Sequence, residues 1–192
     1  MRLPRRLRLL LKRLAYGGIG GGKDGERVVA WIAPRPGMRI ADIGSGFGDF
    51  AFRFARAVAP DGVVYAVDTD PDLRMEVDRR ATERGLVNVR PVAASVDDPG
   101  VPEPVDLAFL SSSYHHLPDQ RAYFTTLRPR IRPGGRVVIL EGRPSLTSRF
   151  LGHATPPEEV RSTLEGAGFR RVDSADIVRW ESLQSFEPLT DA

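Results

Sequence analysis

A regular alternation of short apolar runs with amphipathic stretches most constrains the fold of this chain. Seven runs have the length and composition of strands: Arg39–Ile43, Val63–Val67, Val89–Ala93, Val105–Leu110, Val137–Leu140, Arg170–Val178 and Leu183–Glu187. Most of them are separated by stretches in which apolar residues recur at helical spacing. Apolar strands that alternate with helices are typical of a parallel sheet covered on both faces. We therefore expect an α/β protein with a doubly wound sheet and helices on both faces.

Several of the predicted helices have recognisable end signals. Asp70 is suited to cap a helix that starts at Pro71, and Gly85 lies where its C-terminal cap is expected. Thr155–Glu158 has the pattern of a capping box at the start of the last helix. Another helix is predicted from about Pro118 to Ile131.

Basic charge is concentrated at the start of the chain. Residues 1–13 contain six of the 28 basic residues and no acidic one, which leaves 22 basic against 25 acidic residues in the remainder. That mildly acidic remainder is unfavourable for a dedicated nucleic-acid binder. Leucines recur at helical spacing: Leu3, Leu7, Leu10, Leu11 and Leu14. We expect a basic amphipathic helix with a Gly-rich linker in residues 1–23, followed by one domain in residues 24–192.

The amphipathic helix leaves three alternatives open. It can lie peripherally on an anionic membrane through residues 1–15, pack on its own domain, or form a disordered basic tail. No apolar run approaches the roughly 18–20 residues needed to span a bilayer. The chain has no cysteine, which excludes disulfides and thiolate chemistry and is compatible with a cytoplasmic location. A membrane contact would then be at the inner face.

A glycine-rich turn follows the first strand: Asp42-Ile43-Gly44-Ser45-Gly46-Phe47-Gly48-Asp49. Glycines let the backbone approach a ligand closely, and the helix beyond offers free N–H groups. A nicotinamide dinucleotide site would have the spacing G-x-G-x-x-G. Here Asp49 stands at the third glycine position, where its carboxylate would face a pyrophosphate. A dinucleotide-dependent oxidoreductase is therefore the disfavoured alternative.

Asp68 ends the second predicted strand, at the edge of the sheet where doubly wound proteins bind ligands. A carboxylate at that position can bind both hydroxyls of a ribose. The alternative is that Asp68 and Asp70 only cap the next helix.

Four segments resemble, in order and spacing, class I S-adenosylmethionine-dependent methyltransferases: Ala41–Gly48, Val64–Asp68, Val105–Phe109 and Leu127–Val138. The resemblance covers about residues 24–187. It is greatest to the small-molecule enzymes that include the ubiquinone/menaquinone biosynthesis methyltransferases. The resemblance implies a Rossmann-like sheet of seven strands whose last strand is antiparallel. It also implies S-adenosylmethionine as cofactor and a small-molecule acceptor, with lipid-like molecules among the candidates, rather than a nucleic acid.

The resemblance further implies which residues contact the cofactor. The glycine-rich loop would pass under the methionine part, Asp68 would bind the ribose, and the ends of the third and fourth strands would border the adenine and the acceptor. The candidate cofactor-binding residues are Asp42, Gly44, Ser45, Gly46, Phe47, Asp68, Thr69, Ala94, Ser95, Ser111 and Ser112. Many relatives have an acidic residue near Ala94, and this sequence has none before Asp97.

Two adjacent histidines follow the fourth strand. His115 or His116 can act as a general base for a hydroxyl acceptor, because a histidine titrates near neutral pH. The alternative is that one packs and the other bonds to the backbone. Candidate acceptor contacts are Tyr16, Tyr114 and Glu141. Glu141 can orient an acceptor amine or hydroxyl, or pair with Arg143.

Other classes of chemistry are less consistent with the sequence. No carboxylates and histidines have convincing metal-ligand spacing, so we expect no metal. Ser111–Tyr114 does not match the Asn/Asp-Pro-Pro-aromatic motif of enzymes that methylate exocyclic amino groups of bases. A non-catalytic module that keeps the cofactor fold is the remaining alternative. The acceptor and the oligomeric state are left open.

Overall fold

The computed structural model describes residues 3–16, 22–95, 97–142, 154–179 and 181–189, without the side chains of residues 14–16. The strands are β1 (Arg39–Ile43), β2 (Val63–Asp68), β3 (Val89–Ala93), β4 (Val105–Ser111), β5 (Ile131–Gly142), β6 (Phe169–Ala175) and β7 (Glu181–Pro188). The α-helices are α1 (Arg5–Tyr16), α2 (Gly22–Ile32), α3 (Asp49–Val58), α4 (Pro71–Glu83), α5 (Gln120–Leu127) and α6 (Pro157–Gly166).

All seven strands form one sheet in the order β3-β2-β1-β4-β5-β7-β6. The pairs β1–β2, β2–β3, β1–β4 and β4–β5 are parallel, whereas β7 is antiparallel to both of its neighbours. This confirms the predicted doubly wound sheet with an antiparallel last strand. The chain runs outward from β1 to β3 and then returns to the other side of β1 as β4. The switch point, where ligands bind in such sheets, is therefore at the ends of β1 and β4.

Helices cover the sheet on both faces, which explains why its central strands are apolar at most positions. In β4, Leu107 packs in the cluster that contains Val28 of α2 and Phe54 of α3. Its neighbour Ala108 packs in the opposite cluster, which contains Phe124 of α5 and Leu164 of α6. Successive side chains of a strand point to opposite faces, so a strand covered on both sides has no position for exposed polar residues.

The start of α4 has the predicted cap, and the start of α6 does not. The Oδ1 atom of Asp70 accepts a hydrogen bond from the N–H of Asp72 at 2.8 Å, and Pro71 is the first residue of the helix. The predicted capping box before α6 is wrong, since the N-cap is Pro156 and no side chain caps the helix. Pro156 precedes another proline and is therefore held in an extended conformation, which delays the start of the helix to Pro157.

Other boundaries also differ from the prediction. Helix α2 was not predicted, although Val28 and Ile32 have helical spacing and are fully buried. Helix α5 ends at Leu127, and a 3-10 turn at Arg128–Arg130 leads directly into β5. A proline within that turn lacks the N–H that the predicted longer helix would need.

Helix α1 packs on α4 through its basic residues. The guanidinium of Arg8 binds the carboxylate of Asp72 with both ends, at 2.9 and 3.0 Å. The ammonium of Lys12 binds Asp70. Packing on its own domain is thus the alternative that the structure shows for α1. Within the described residues, no helix is long and apolar enough to cross a membrane. The expected division at residue 23 stays a prediction, and α2 begins just before it, at Gly22.

Candidate active site

The glycine-rich loop joins β1 to α3 and turns back over the end of β2. The N–H groups of Gly44 and Ser45 both donate to the carbonyl oxygen of Val67, at 2.9 and 3.0 Å. Gly44 has a φ of 73°, which side chains other than glycine rarely adopt. A Cβ atom at Gly44 would lie 2.6 Å from the Cβ of Ser113. The backbone is therefore held tightly between the ends of β2 and β4, as a ligand-binding loop requires.

Asp42 lies at the end of β1 beneath this loop and is only 2% exposed. Burial raises the pKa of its carboxyl to about 7, against the effect of a hydrogen bond from the N–H of Ala51. The nearby carboxylates of Asp68 and Asp49 raise it further. Among the described residues, the Oδ2 atom of Asp42 and the Oγ atom of Ser45 are buried without a hydrogen-bond partner. Such atoms are costly unless a ligand supplies the missing partner.

Asp68 connects the end of β2 to the loop. Its Oδ2 atom accepts the N–H of Gly46 and its Oδ1 atom accepts the N–H of Asp70, both at 2.9 Å. Burial raises the pKa of Asp68, although these two hydrogen bonds oppose the shift. Each carboxylate oxygen can accept a further hydrogen bond, which leaves capacity for two hydroxyl groups. Capping of α4 is the role of Asp70, and the exposed Thr69 lies between the two.

The residues after β3 form the side of the site expected to border adenine. The N–H of Ala94 donates to the carbonyl oxygen of Asp68 at 3.3 Å, which brings Ala94 next to the ribose candidate. The Oγ atom of Ser95 accepts the N–H groups of Asp97 and Asp98. The N–H of Ser95 in turn donates to the carbonyl oxygen of Asp98 at 3.0 Å. Ser95 therefore holds its own turn together through both its backbone and its hydroxyl oxygen.

Three serines continue from β4 into the site. Ser111 ends the strand, and Ser112 has a φ of 50° while its N–H donates to the carbonyl oxygen of Leu140 at 2.9 Å. A non-glycine residue in this region stores strain of the kind found at ligand sites. Ser113 Oγ donates to the carbonyl oxygen of Ile43 at 3.0 Å, so it ties β4 to the glycine-rich loop. Ser113 was not among the predicted site residues, and only its place in a polar run after an apolar strand signals it.

His115 and Glu141 form a hydrogen-bonded pair at the ends of β4 and β5. The Nδ1 atom of His115 is 2.8 Å from the Oε1 atom of Glu141, and the side chains are 10% and 1% exposed. The N–H of Gly142 also donates to Oε1. No described residue bonds to the Oε2 atom of Glu141. The predicted pairing of Glu141 with Arg143 lies outside the described residues.

The geometry distinguishes the two histidines. The ring of His116 is exposed and its centroid is 4.1 Å from that of His115. The buried carboxylate of Glu141 is the partner of His115. That carboxylate favours a proton on Nδ1, which leaves Nε2 as the basic nitrogen.

Of the two remaining acceptor candidates, Tyr114 and Tyr16, the structure describes only the side chain of Tyr114. Tyr114 is 1% exposed and stacks on Phe124, with the ring centroids 5.9 Å apart. Burial raises the pKa of its hydroxyl. Tyr114 is thus a core residue on the α5 face, and contact with an acceptor is disfavoured by its burial. The side chain of Tyr16 lies outside the described residues.

Glu181 is a buried acidic residue that the sequence reasoning missed. It begins β7 opposite Gly142 and is 6% exposed. Burial raises the pKa of its carboxyl to about 7, and the charges of Glu141 and Asp24 add to the shift. No described residue bonds to its Oε2 atom. Its signal is an acidic residue two positions before the strand that the sequence predicts to start at Leu183.

A metal centre has no basis in the described ranges. They contain no group of three or more histidine, aspartate or glutamate side chains placed to hold an ion.

The sequence and fold are similar to those of known methyltransferases. A family described as "Methyltransferase domain" matches residues 40–135. Aklanonic acid methyltransferase DauC of Streptomyces sp. (strain C5) is 29% identical over 180 residues, which cover 77% of this chain and 82% of DauC. The ubiquinone/menaquinone biosynthesis C-methyltransferase UbiE of Cupriavidus taiwanensis is 30% identical over 116 residues. That match covers 59% of this chain and 46% of UbiE, so the chain spans only about half the length of several such relatives.

Solved structures have the same fold at lower identity. A SAM-dependent methyltransferase from Aquifex aeolicus has a TM-score of 0.74 at 21% identity, over 84% of this chain and 87% of that one. The O-methyltransferase NcsB1 from neocarzinostatin biosynthesis, in complex with S-adenosyl-L-homocysteine and 1,4-dihydroxy-2-naphthoic acid, has a TM-score of 0.69 at 19% identity. It aligns over 96% of this chain and 57% of its own length.

Proposed function

The chain belongs to the methyltransferase domain family and is an S-adenosylmethionine-dependent methyltransferase, and on this premise we propose that it methylates an ionisable hydroxyl group of a small, lipid-like molecule. The observation that carries the proposal is the buried pair of His115 and Glu141 at the ends of β4 and β5. A histidine oriented by a carboxylate is a general base, and a hydroxyl acceptor requires one.

The residues at the ends of β1 and β2 fit the cofactor. Oδ2 of Asp42 and Oγ of Ser45 are buried and lack a described partner, so a polar ligand would complete their hydrogen bonding. The two oxygens of Asp68 would hold the ribose hydroxyls. Gly44 leaves the backbone without a side chain where the loop passes between strands. When bound, S-adenosylmethionine supplies a methyl group activated by its sulfonium.

The protein contributes a positioned base in this proposal. Glu141 accepts a hydrogen bond from Nδ1 of His115 and fixes the ring, so that Nε2 receives the proton of the acceptor hydroxyl. The nearly full burial of Glu141 strengthens its interaction with the imidazolium that forms. Methyl transfer itself needs mainly alignment and exclusion of water. His116 lies outside this hydrogen bond and would contact the acceptor without taking its proton.

The relatives support a small acceptor. DauC is named for aklanonic acid, and NcsB1 was solved with a dihydroxynaphthoic acid. Both names describe small molecules, and the second carries phenolic hydroxyls. We propose a cytoplasmic location with peripheral contact at the inner face of a membrane, where a lipid-like acceptor is available.

Cofactor binding is tested first, because it separates the enzyme from a non-catalytic module. The purified protein is titrated calorimetrically with S-adenosylhomocysteine, with NADH as control and an Asp68→Ala variant alongside. We expect saturable binding of S-adenosylhomocysteine alone, weakened at least roughly tenfold in the variant. Binding of NADH instead would contradict the cofactor assignment.

The base is tested with phenolic probes such as 1,4-dihydroxy-2-naphthoic acid and reduced quinones. We expect His115→Gln to lower kcat by roughly 10²–10⁴, and the matched variant His116→Gln to stay within about threefold of wild type. Glu141→Gln should also lower kcat, because the imidazolium that forms loses its neighbouring charge. Equal rates for both histidine variants, with S-adenosylhomocysteine binding intact, would refute a base at His115.

A further inference from the structure

Three leucines of α1 and one just before the helix are exposed to solvent. Leu3, Leu7, Leu10 and Leu11 are 48%, 40%, 56% and 49% exposed, and we call these four residues the leucine ridge. They make up half of the eight large hydrophobic residues exposed in the described ranges, within nine consecutive positions. An isolated exposed leucine needs no explanation, but a contiguous apolar patch marks an interaction surface.

The opposite face of α1 is the one that packs on the protein. Arg5, Arg8 and Lys12 recur at intervals of three and four residues and contact the start of α4 through Asp70, Asp72 and Glu76. A helix on the surface of a globular protein ordinarily buries its apolar face and exposes its charges. In α1 this arrangement is reversed, because ion pairs hold the helix and the leucines point outward.

The charges around the ridge indicate its partner. Arg6 and Arg13, seven positions apart, are both exposed along one flank of α1, and residues 3–16 contain no acidic residue. Two copies of α1 packed ridge to ridge would bring these arginines together, which is unfavourable. A surface that offers both anionic groups and an apolar layer satisfies leucines and arginines at once. An anionic lipid surface has this composition.

We propose that the leucine ridge binds an anionic lipid surface while α1 stays packed on α4. The helix also borders the cofactor loop, since the guanidinium of Arg13 lies 5.1 Å from the ring centroid of Phe47. Lys12 contacts Asp70, two positions from the ribose candidate Asp68. Binding through the ridge therefore brings this edge of the site to the lipid surface. The inference extends the proposed function by stating where a lipid-like acceptor enters.

Vesicle binding tests the inference without any acceptor. The full chain is sedimented with vesicles of phosphatidylcholine alone and of phosphatidylcholine with phosphatidylglycerol. The test variant replaces three ridge residues together, Leu7→Gln, Leu10→Gln and Leu11→Gln. The matched control replaces three exposed apolar residues elsewhere, Val87→Gln, Val172→Gln and Leu189→Gln. S-adenosylhomocysteine binding is measured for each protein to show that the domain is folded.

We expect wild type and control to partition onto the anionic vesicles and the ridge variant to bind at least roughly tenfold more weakly. Equal binding by the ridge variant would overturn the inference. If wild type bound vesicles of phosphatidylcholine alone as strongly as the anionic vesicles, the role of the arginines would be overturned. Dimeric wild type and monomeric ridge variant in gel filtration, without vesicle binding, would assign the ridge to a second copy of the chain. None of these outcomes depends on catalysis by His115.

Discussion

The buried carboxyl of Asp42 makes the pH dependence of stability a direct test of the cofactor loop. Burial raises its pKa in the folded protein from the ordinary value of 3.8 to about 7. Between about pH 4 and pH 7 the folded state therefore keeps a proton that the unfolded chain has lost. The unfolded state binds fewer protons in this window, so the free energy of unfolding falls as the pH rises. Below and above the window, the contribution of Asp42 is constant.

The size of the effect follows from the shift in pKa. Each pH unit corresponds to about 1.36 kcal/mol. A shift from 3.8 to about 7 thus destabilises the folded protein above pH 7 by about 4 kcal/mol at most. Asp42→Asn removes this penalty, while its amide adds a cost of about 1–3 kcal/mol that does not vary with pH. The stability of the variant relative to wild type should therefore rise by about 1.4 kcal/mol per pH unit across the window.

Urea unfolding at unit intervals between about pH 5 and pH 8 measures this slope. Asp61→Asn, at an exposed position in the loop after α3, is the matched control. The free energy of unfolding of this control should change with pH in the same way as that of wild type. The reasoning is refuted if Asp42→Asn also runs parallel, since the carboxyl of Asp42 would then titrate alike in the folded and unfolded states.

Three further changes have defined outcomes. Gly44→Ala should lower the free energy of unfolding, measured with urea, by at least about 2 kcal/mol, because the new Cβ meets Ser113 and the backbone there has a positive φ. Adding Ser113→Gly should restore only part of this loss, because the positive φ remains. Asp72→Asn should speed amide hydrogen exchange in α1 roughly tenfold, because Arg8 loses its two-ended ion pair, and unchanged exchange would contradict that role. Glu181→Gln should gain about 3 kcal/mol relative to wild type between about pH 4.5 and pH 7, because burial raises the pKa of Glu181 from 4.5 to about 7; urea unfolding at both ends of that range would show it.

Features that depend on neighbouring residues along the chain could be predicted from the sequence. The strands β1, β2 and β4 were recognisable because both of their faces are buried and most of their positions are therefore apolar. Asp42 and Asp68 stood out because each lies at the carboxyl end of such a strand. The cap at Asp70 needed only the two residues after it. In each case the physical cause lies within a few residues of the position concerned.

Features that depend on contacts across the sheet could not be predicted in the same way. His115 and Glu141 are 26 positions apart and meet only because β4 and β5 are neighbours. The burial of Glu181 depends on the register of an antiparallel pair, which spacing does not reveal. The spacing of leucines and basic residues in α1 predicted an apolar face and a basic face, but it did not show which of them packs on the domain. The rule that apolar faces turn inward would have chosen the wrong one.

The residues of the site come from two separate parts of the chain. Asp42, Asp68 and Ser113 lie within residues 40–135, the span that matches the methyltransferase domain family. Glu141 and Glu181 lie beyond it, on β5 and β7. With the proposed function, mutations on β5 and β7 can alter the choice of acceptor while the cofactor loop stays unchanged. The turn just before β5 is then the natural crossover point for chimeric enzymes, because it leaves Ser113 in the same part as the loop that it contacts.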